Sequence, residues 1–162
     1  MIVRPIELGD AAGIQALRTM RGVRENILGI ASERYVDSEN FIKNLTSDDH
    51  TLVAEVETRI VGCAGLSVSG RPRTRHVGGI GIMVHADYQG QGVGTALMEA
   101  LLDLADNWLM LKRVELCVFT ENERAVKLYQ RLGFVIEGTK KFAAARHGIY
   151  ADEYMMARYR IE

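Results

Sequence analysis

Apolar and polar positions along this chain recur with two periods. Runs with strand character cover residues 2–6, 52–56, 60–68, 76–84 and 114–119, the last read as a buried strand. Helical spacing appears elsewhere. Ile14, Leu17 and Met20 fall on one stripe with Asp10 placed to cap it, and Phe41, Ile42 and Leu45 face inward behind a Ser38 cap. Val93, Leu97, Leu101, Leu104 and Trp108 predict a longer helix. Ala125, Leu128, Tyr129 and Leu132 predict another, ended by Gly133 as a left-handed cap. Glu57-Thr58-Arg59 joins one hairpin, and His147-Gly148 turns a second between residues 134–143 and 150–158. Residues 21–36 show no period. This order predicts an α/β fold, a mixed sheet with helices on both faces.

Composition narrows the class. At 162 residues and 48% hydrophobic, the chain suits one domain spanning residues 1–162. Twenty basic against 21 acidic residues give a net charge of −1, so no broad basic field is available for nucleic acid or an anionic membrane. The opening Met-Ile-Val-Arg-Pro-Ile lacks a signal-peptide layout, and no apolar run reaches the length of a membrane span. Cys63 and Cys117 lie in apolar runs without a C-x-x-C motif, which predicts reduced, buried, packing cysteines in a cytoplasmic protein. No metal ligands are assigned.

Candidate chemistry concentrates between residues 79 and 95. A glycine-laced strand, Gly79-Ile-Gly-Ile82-Met83-Val84, runs through a polar turn into Gln89-Gly90-Gln91-Gly92-Val93-Gly94-Thr95, which opens the long helix. Free N–H groups and the helix dipole at such a start attract an anion, and glycines let it approach closely. A P-loop would need lysine after the last glycine, and Thr95 stands there. The dinucleotide spacing G-x-G-x-x-G is also missed, although Glu115 in the next strand keeps that reading weakly open. Gly78, Gly79 and Gly81 weaken a strand unless a helix or a ligand comes close to them.

Gln89-Gly-Gln-Gly92-Val-Gly94 resembles the Q/R-x-x-G-x-G/A pyrophosphate loop of the GCN5-related N-acetyltransferases. The segment Asn122-Glu-Arg-Ala125-Val-Lys-Leu128-Tyr129-Gln-Arg-Leu-Gly133-Phe134 is similar to that family's second signature, in the same order and spacing. The resemblance covers nearly all of the chain and is weakest before about residue 48. It implies acetyl-CoA as co-substrate, held by the backbone from Gln89 to Thr95. It also implies a splayed strand whose Ile82, Met83 and Val84 backbone pairs with the pantetheine arm. Tyr129 would then be the proton donor to the departing sulfur. Asn122 would be free to contact the cofactor if Thr120, through a Thr120-to-Glu123 capping box, caps the helix. Thr95 could add a hydroxyl bond to a phosphate.

The base and the acceptor are less marked. Glu115, beside the presumed cleft, is the candidate general base; its alternative is a partner for a nearby arginine. His76 and His85 flank the central strand and read as strand-end residues. At pH 7, neutralising a lysine-type amine costs roughly 4.6 kcal/mol against about 1 for an α-amine. A site without a marked strong base therefore suits an α-amine. The carboxy-terminal half and the Arg71-Pro-Arg73 loop are similar to bacterial L-amino-acid N-acetyltransferases, where an arginine fork could hold a carboxylate; the alternative is a solvated loop. The expected partner is a small-molecule amine, with room for a homodimer. Acetylation of a protein or peptide amino terminus, or a non-catalytic acyl-CoA-binding module, are the alternatives. A module would not need Tyr129.

Overall fold

In a computed structural model, which describes residues 1–160, seven strands form one sheet. The elements are β1 (Ile2–Pro5), α1 (Ala11–Thr19), α2 (Tyr35–Lys43), β2 (Asp49–Val56), β3 (Arg59–Val68), β4 (Val77–Val84), α3 (Val93–Asp103), β5 (Arg113–Phe119), α4 (Glu123–Arg131), β6 (Val135–Arg146) and β7 (Ile149–Tyr159). Strand order is β1-β2-β3-β4-β5-β7-β6, and only β4 and β5 run parallel. Two hairpins use two-residue turns with positive φ at both positions: Glu57 (48°) and Thr58 (66°), then His147 (50°) and Gly148 (77°). That handedness matches the twist of the strands they join.

Alternation along the strands feeds a core on each face. Leu66, Ile80, Val114, Leu116 and Val118 pack with Leu97, Met98 and Leu101 of α3 and with Tyr129 of α4. On the opposite face Val53, Ile60 and Cys63 meet Ile14 and Leu17 of α1. Some strand glycines exist for this packing. A Cβ at Gly78 would lie 2.7 Å from Leu66 and 2.8 Å from Leu111.

Several elements depart from the sequence reading. Asp10 does not cap α1: its carboxylate accepts from the Glu7 N–H at 2.8 Å and from both terminal nitrogens of Arg4, at 2.8 and 2.9 Å. α2 begins four residues earlier than expected, at Tyr35 with Arg34 in the cap position, so Ser38 is buried inside the helix while Phe41 is exposed. Past Asp103, α3 continues as a π-turn over Leu104–Trp108, with Leu109 N–H bonded to Leu104 O at 2.9 Å. The wider turn rotates the apolar stripe off its phase, and Trp108 emerges 76% exposed. β5 alternates rather than being buried throughout, so Glu115 and Cys117 are exposed and only Cys63 is the buried cysteine.

Candidate active site

The sheet opens in its centre. β4 pairs with β3 along its whole length, but its ladder to β5 covers only Val77 to Gly79. Bonds from Ser69 N–H to Val77 O and from His85 N–H to Val61 O fix the phase. Odd-numbered residues of β4 turn their backbone groups to β3, and even-numbered ones turn toward β5. Beyond Gly79 the β5-facing groups of Ile82 and the N–H of Val84 therefore have no strand partner. The Val84 carbonyl accepts from the Gln89 amide at 3.1 Å. Met83 is the exception among the three residues expected to offer backbone here. Its backbone faces β3, while its side chain packs against the α1 core and lines the cavity.

A cavity of about 1300 Å³ occupies the opening and runs from Gln89, ahead of α3, to the face under α2. Ile82, Met83, Val84, Gln89, Asn122 and Tyr129 all line it. Gly81 lies open, with nothing within 4 Å of the position its Cβ would take. The loop before α3 is held by side chains. The Gln89 amide reaches Gly22 O at 3.1 Å, its carbonyl accepts from Arg124 at 3.3 Å, and the Gln91 amide binds Asp87 O at 2.8 Å. Gly90 and Gly92 take φ of 73° and 86°. Gly92 is the α3 N-cap without a side-chain bond, so the N–H groups of Val93, Gly94 and Thr95 in the first turn are left for a ligand.

α4 delivers Tyr129. Its cap is Asn122, whose carbonyl accepts from Ala125 N–H at 3.4 Å, so the expected Thr120 cap gives way to Asn122. The reason is chain direction: Thr120 N–H still bonds Asp152 O across to β7, which keeps Thr120 in the sheet. The Tyr129 ring is 5% exposed and leans on Phe134, centroids 5.9 Å apart. Burial pushes its phenol up to about 12. No described residue hydrogen-bonds its hydroxyl. A phenol in that setting keeps its proton and can give it to a ligand.

Glu115 belongs elsewhere. Arg113 Nε holds its carboxylate at 2.8 Å, and the same guanidinium forks onto Glu137. Glu115 pairs with Gly79, the last position at which β4 and β5 are still joined, so it stands before the gap and does not line the cavity. Arg71 and Arg73 flank an exposed turn outside the lining. His76 is exposed, and His85 accepts from Asp87 N–H at 3.1 Å as a turn residue.

What periodicity missed is the far wall of the cavity. Gly22, Val23, Asn26, Ile27, Leu28 and Glu33 line it, from the stretch without period. Arg18 clamps Glu33 through two bonds of 2.6 and 2.8 Å and holds that carboxyl below its usual range. No local pattern marks these residues, because their positions are set by contacts with α1 and Gln89.

Residues 20–134 match the model of the acetyltransferase (GNAT) family, and the chain belongs to that family. It is thus an N-acetyltransferase with acetyl-CoA as acyl donor. The L-amino acid N-acetyltransferase AaaT of Escherichia coli is 45% identical over 107 residues, 66% of this chain and 66% of that protein, or about two thirds of each. A Streptococcus pneumoniae GNAT acetyltransferase superposes with a TM-score of 0.85 at 28% identity, covering 98% of this chain and 99% of that one. A Salmonella typhimurium acetyltransferase solved with acetyl-CoA shares the fold, with a TM-score of 0.84 at 19% identity over 100% of this chain and 95% of that one. Among the described residues no helix is long and apolar enough to cross a membrane.

Proposed function

We propose that this chain acetylates the α-amine of a small amino-acid-like molecule by direct attack in a ternary complex. The observation that carries the reading is the buried, proton-holding Tyr129 in the same cavity as the β4–β5 gap and as Gln89, which leads into the glycine-rich start of α3. Backbone N–H groups from Gln91 to Thr95 bind the pyrophosphate. The free backbone of Ile82 and the Val84 N–H pair with the pantetheine arm, which brings the thioester beside Tyr129. The neutral amine attacks the carbonyl carbon, the new C–N bond forms and the C–S bond breaks. The departing thiolate takes the Tyr129 proton, and the proton that the new amide nitrogen sheds restores the phenol by way of solvent.

Neither cysteine suits a covalent route. Burial drives the Cys63 thiol up to about 12, and burial also raises Cys117. A thiol held protonated is a poor nucleophile. Cys117→Ala should therefore keep most of its turnover, and an acetyl-cysteine forming and decaying at the catalytic rate would overturn direct transfer. The amino-acid acceptor rests on similarity to an enzyme of that name. The protein is expected to act in the cytoplasm. A thiol-release screen with acetyl-CoA against the free L-amino acids, polyamines and amino-terminal peptides tests the reading. Fastest turnover with amino acids supports it. Turnover confined to peptides favours amino-terminal acetylation, and no turnover with any amine favours a binding module.

A further inference from the structure

The face of the cavity away from the α3 start must receive the acceptor, and most of its carboxylates are already engaged. Glu33 is held by Arg18 through two bonds. Asp49 accepts from Thr46 N–H at 2.9 Å and Ser67 Oγ at 2.8 Å. Asp37 accepts from Arg34 N–H at 2.8 Å, as the return half of a capping box. Glu153 differs: it lines the cavity from β7, among the described residues it makes no ion pair, and its side-chain partner is only the weak donor Cys117.

Its neighbour is of opposite charge. Glu153 is paired across the strands with Lys140 of β6 on one side and with Phe119 of β5 on the other. Directly paired residues project to the same face of a sheet, with Cβ atoms about 5 Å apart. Lys140 also lines the cavity and also lacks an ion pair among the described residues. The two charges stand side by side without bonding each other. Both reach toward Cys117: partial desolvation is the main influence on its thiol, with Lys140 and Glu153 acting on it in opposite senses.

We infer that Lys140 and Glu153 together bind the head group of a zwitterionic amino acid, Lys140 taking the α-carboxylate and Glu153 the α-ammonium. This rests on the amino-acid acceptor proposed above. Glu153 also takes the proton that the ammonium must lose before attack, the role for which Glu115 is misplaced. The balance closes in full: the ammonium gives one proton to Glu153, nitrogen bonds carbon, carbon releases sulfur, sulfur gains the Tyr129 proton, the second proton shed by the new amide nitrogen restores the Tyr129 phenol by way of solvent, and Glu153 returns its proton to solvent. The lysine selects against polyamines, which would bring further positive charge beside it.

The test compares each free L-amino acid that the wild type acetylates with its carboxamide, which keeps the ammonium and lacks the carboxylate. Wild-type kcat/KM should favour the acid by about tenfold or more, as expected for a charged hydrogen bond. Lys140→Met should remove most of that preference. Glu153→Gln should lower kcat/KM for acid and amide alike, by about a hundredfold, and leave their ratio unchanged. Calorimetry should show acetyl-CoA affinity within about twofold of wild type in both variants, which separates acceptor binding from misfolding. Both side chains lie on the cavity wall rather than in the core, and Glu153→Asp with partial activity would give a folded reference. Wild-type turnover of amino acids with an unchanged acid-to-amide ratio in Lys140→Met, or with full activity in Glu153→Gln, overturns this assignment alone. A wild type that acetylates only polyamines or peptides overturns the amino-acid reading and this assignment together.

Discussion

Tyr129 sits where the core meets the cavity, and the proposed transfer gives its hydroxyl a second role. Its ring belongs to the core with Phe134, and its hydroxyl opens on the cavity. Removing the oxygen should spare the first role and abolish the second. Tyr129→Phe is expected to keep acetyl-CoA affinity and melting temperature near wild type while kcat falls about 10²–10⁴-fold. Steady-state kinetics with calorimetry on one preparation checks the pairing. Because burial raises the phenol pKa to about 12, its titration should not appear in kcat below about pH 10, where a free phenol begins to ionise. Tyr129 was legible because a motif fixes it on a helical stripe. Glu115 was not, because a strand sequence does not say where its ladder stops. One register pair, Gly79 with Glu115, decides that this carboxylate meets Arg113 and not the cavity.

Two helix starts frame the site, and each depends on one residue at its cap. Gly92 caps α3 with φ of 86°, a conformation that β-branched side chains scarcely adopt. No atom lies within 4 Å of where its Cβ would be, so the space is open to a ligand. Gly92→Val should fold with a modest loss of stability and lose acetyl-CoA binding; unchanged affinity by calorimetry would remove the phosphate role. For α4, Asn122→Ala should cost about 1 kcal/mol, seen as a fall of about 2–4 °C in melting temperature. Thr120→Ala should cost less, because Thr120 is held by its backbone bond to β7. A larger effect at Thr120 would restore the capping box. The helices themselves were readable from period. Their ends were not, since Thr120, Asn122, Asp10 and Ser38 are all competent cap residues and tertiary bonds choose among them.

At the scale of the whole molecule, the edge of the sheet is tied to α1 by Arg4, which holds Asp10 and also Glu55, the latter at 2.8 Å. The Arg4 hydrogen bonds keep the Asp10 carboxyl below its usual range, with burial opposing them and the Glu7 N–H assisting. A depressed carboxyl pKa stabilises the fold above the unfolded value, near 4, and loses that contribution as pH falls through the folded value. Urea midpoints measured between neutral and acid pH should therefore fall less steeply in Asp10→Asn than in wild type. At neutral pH the variant should be weaker by about 1–2 kcal/mol, and parallel curves would show that Asp10 contributes nothing to acid sensitivity. The sequence by itself determined the alternation of strands and helices, the glycine-rich start of α3 and the place of Tyr129 on its helical stripe, since each depends on neighbours within a few residues. Only the tertiary structure decided where β4 parts from β5, which residues of the aperiodic stretch wall the cavity, and that Lys140 and Glu153 meet across β6 and β7. Those outcomes depend on register between strands and on contacts across long stretches of chain, for which local periodicity carries no signal.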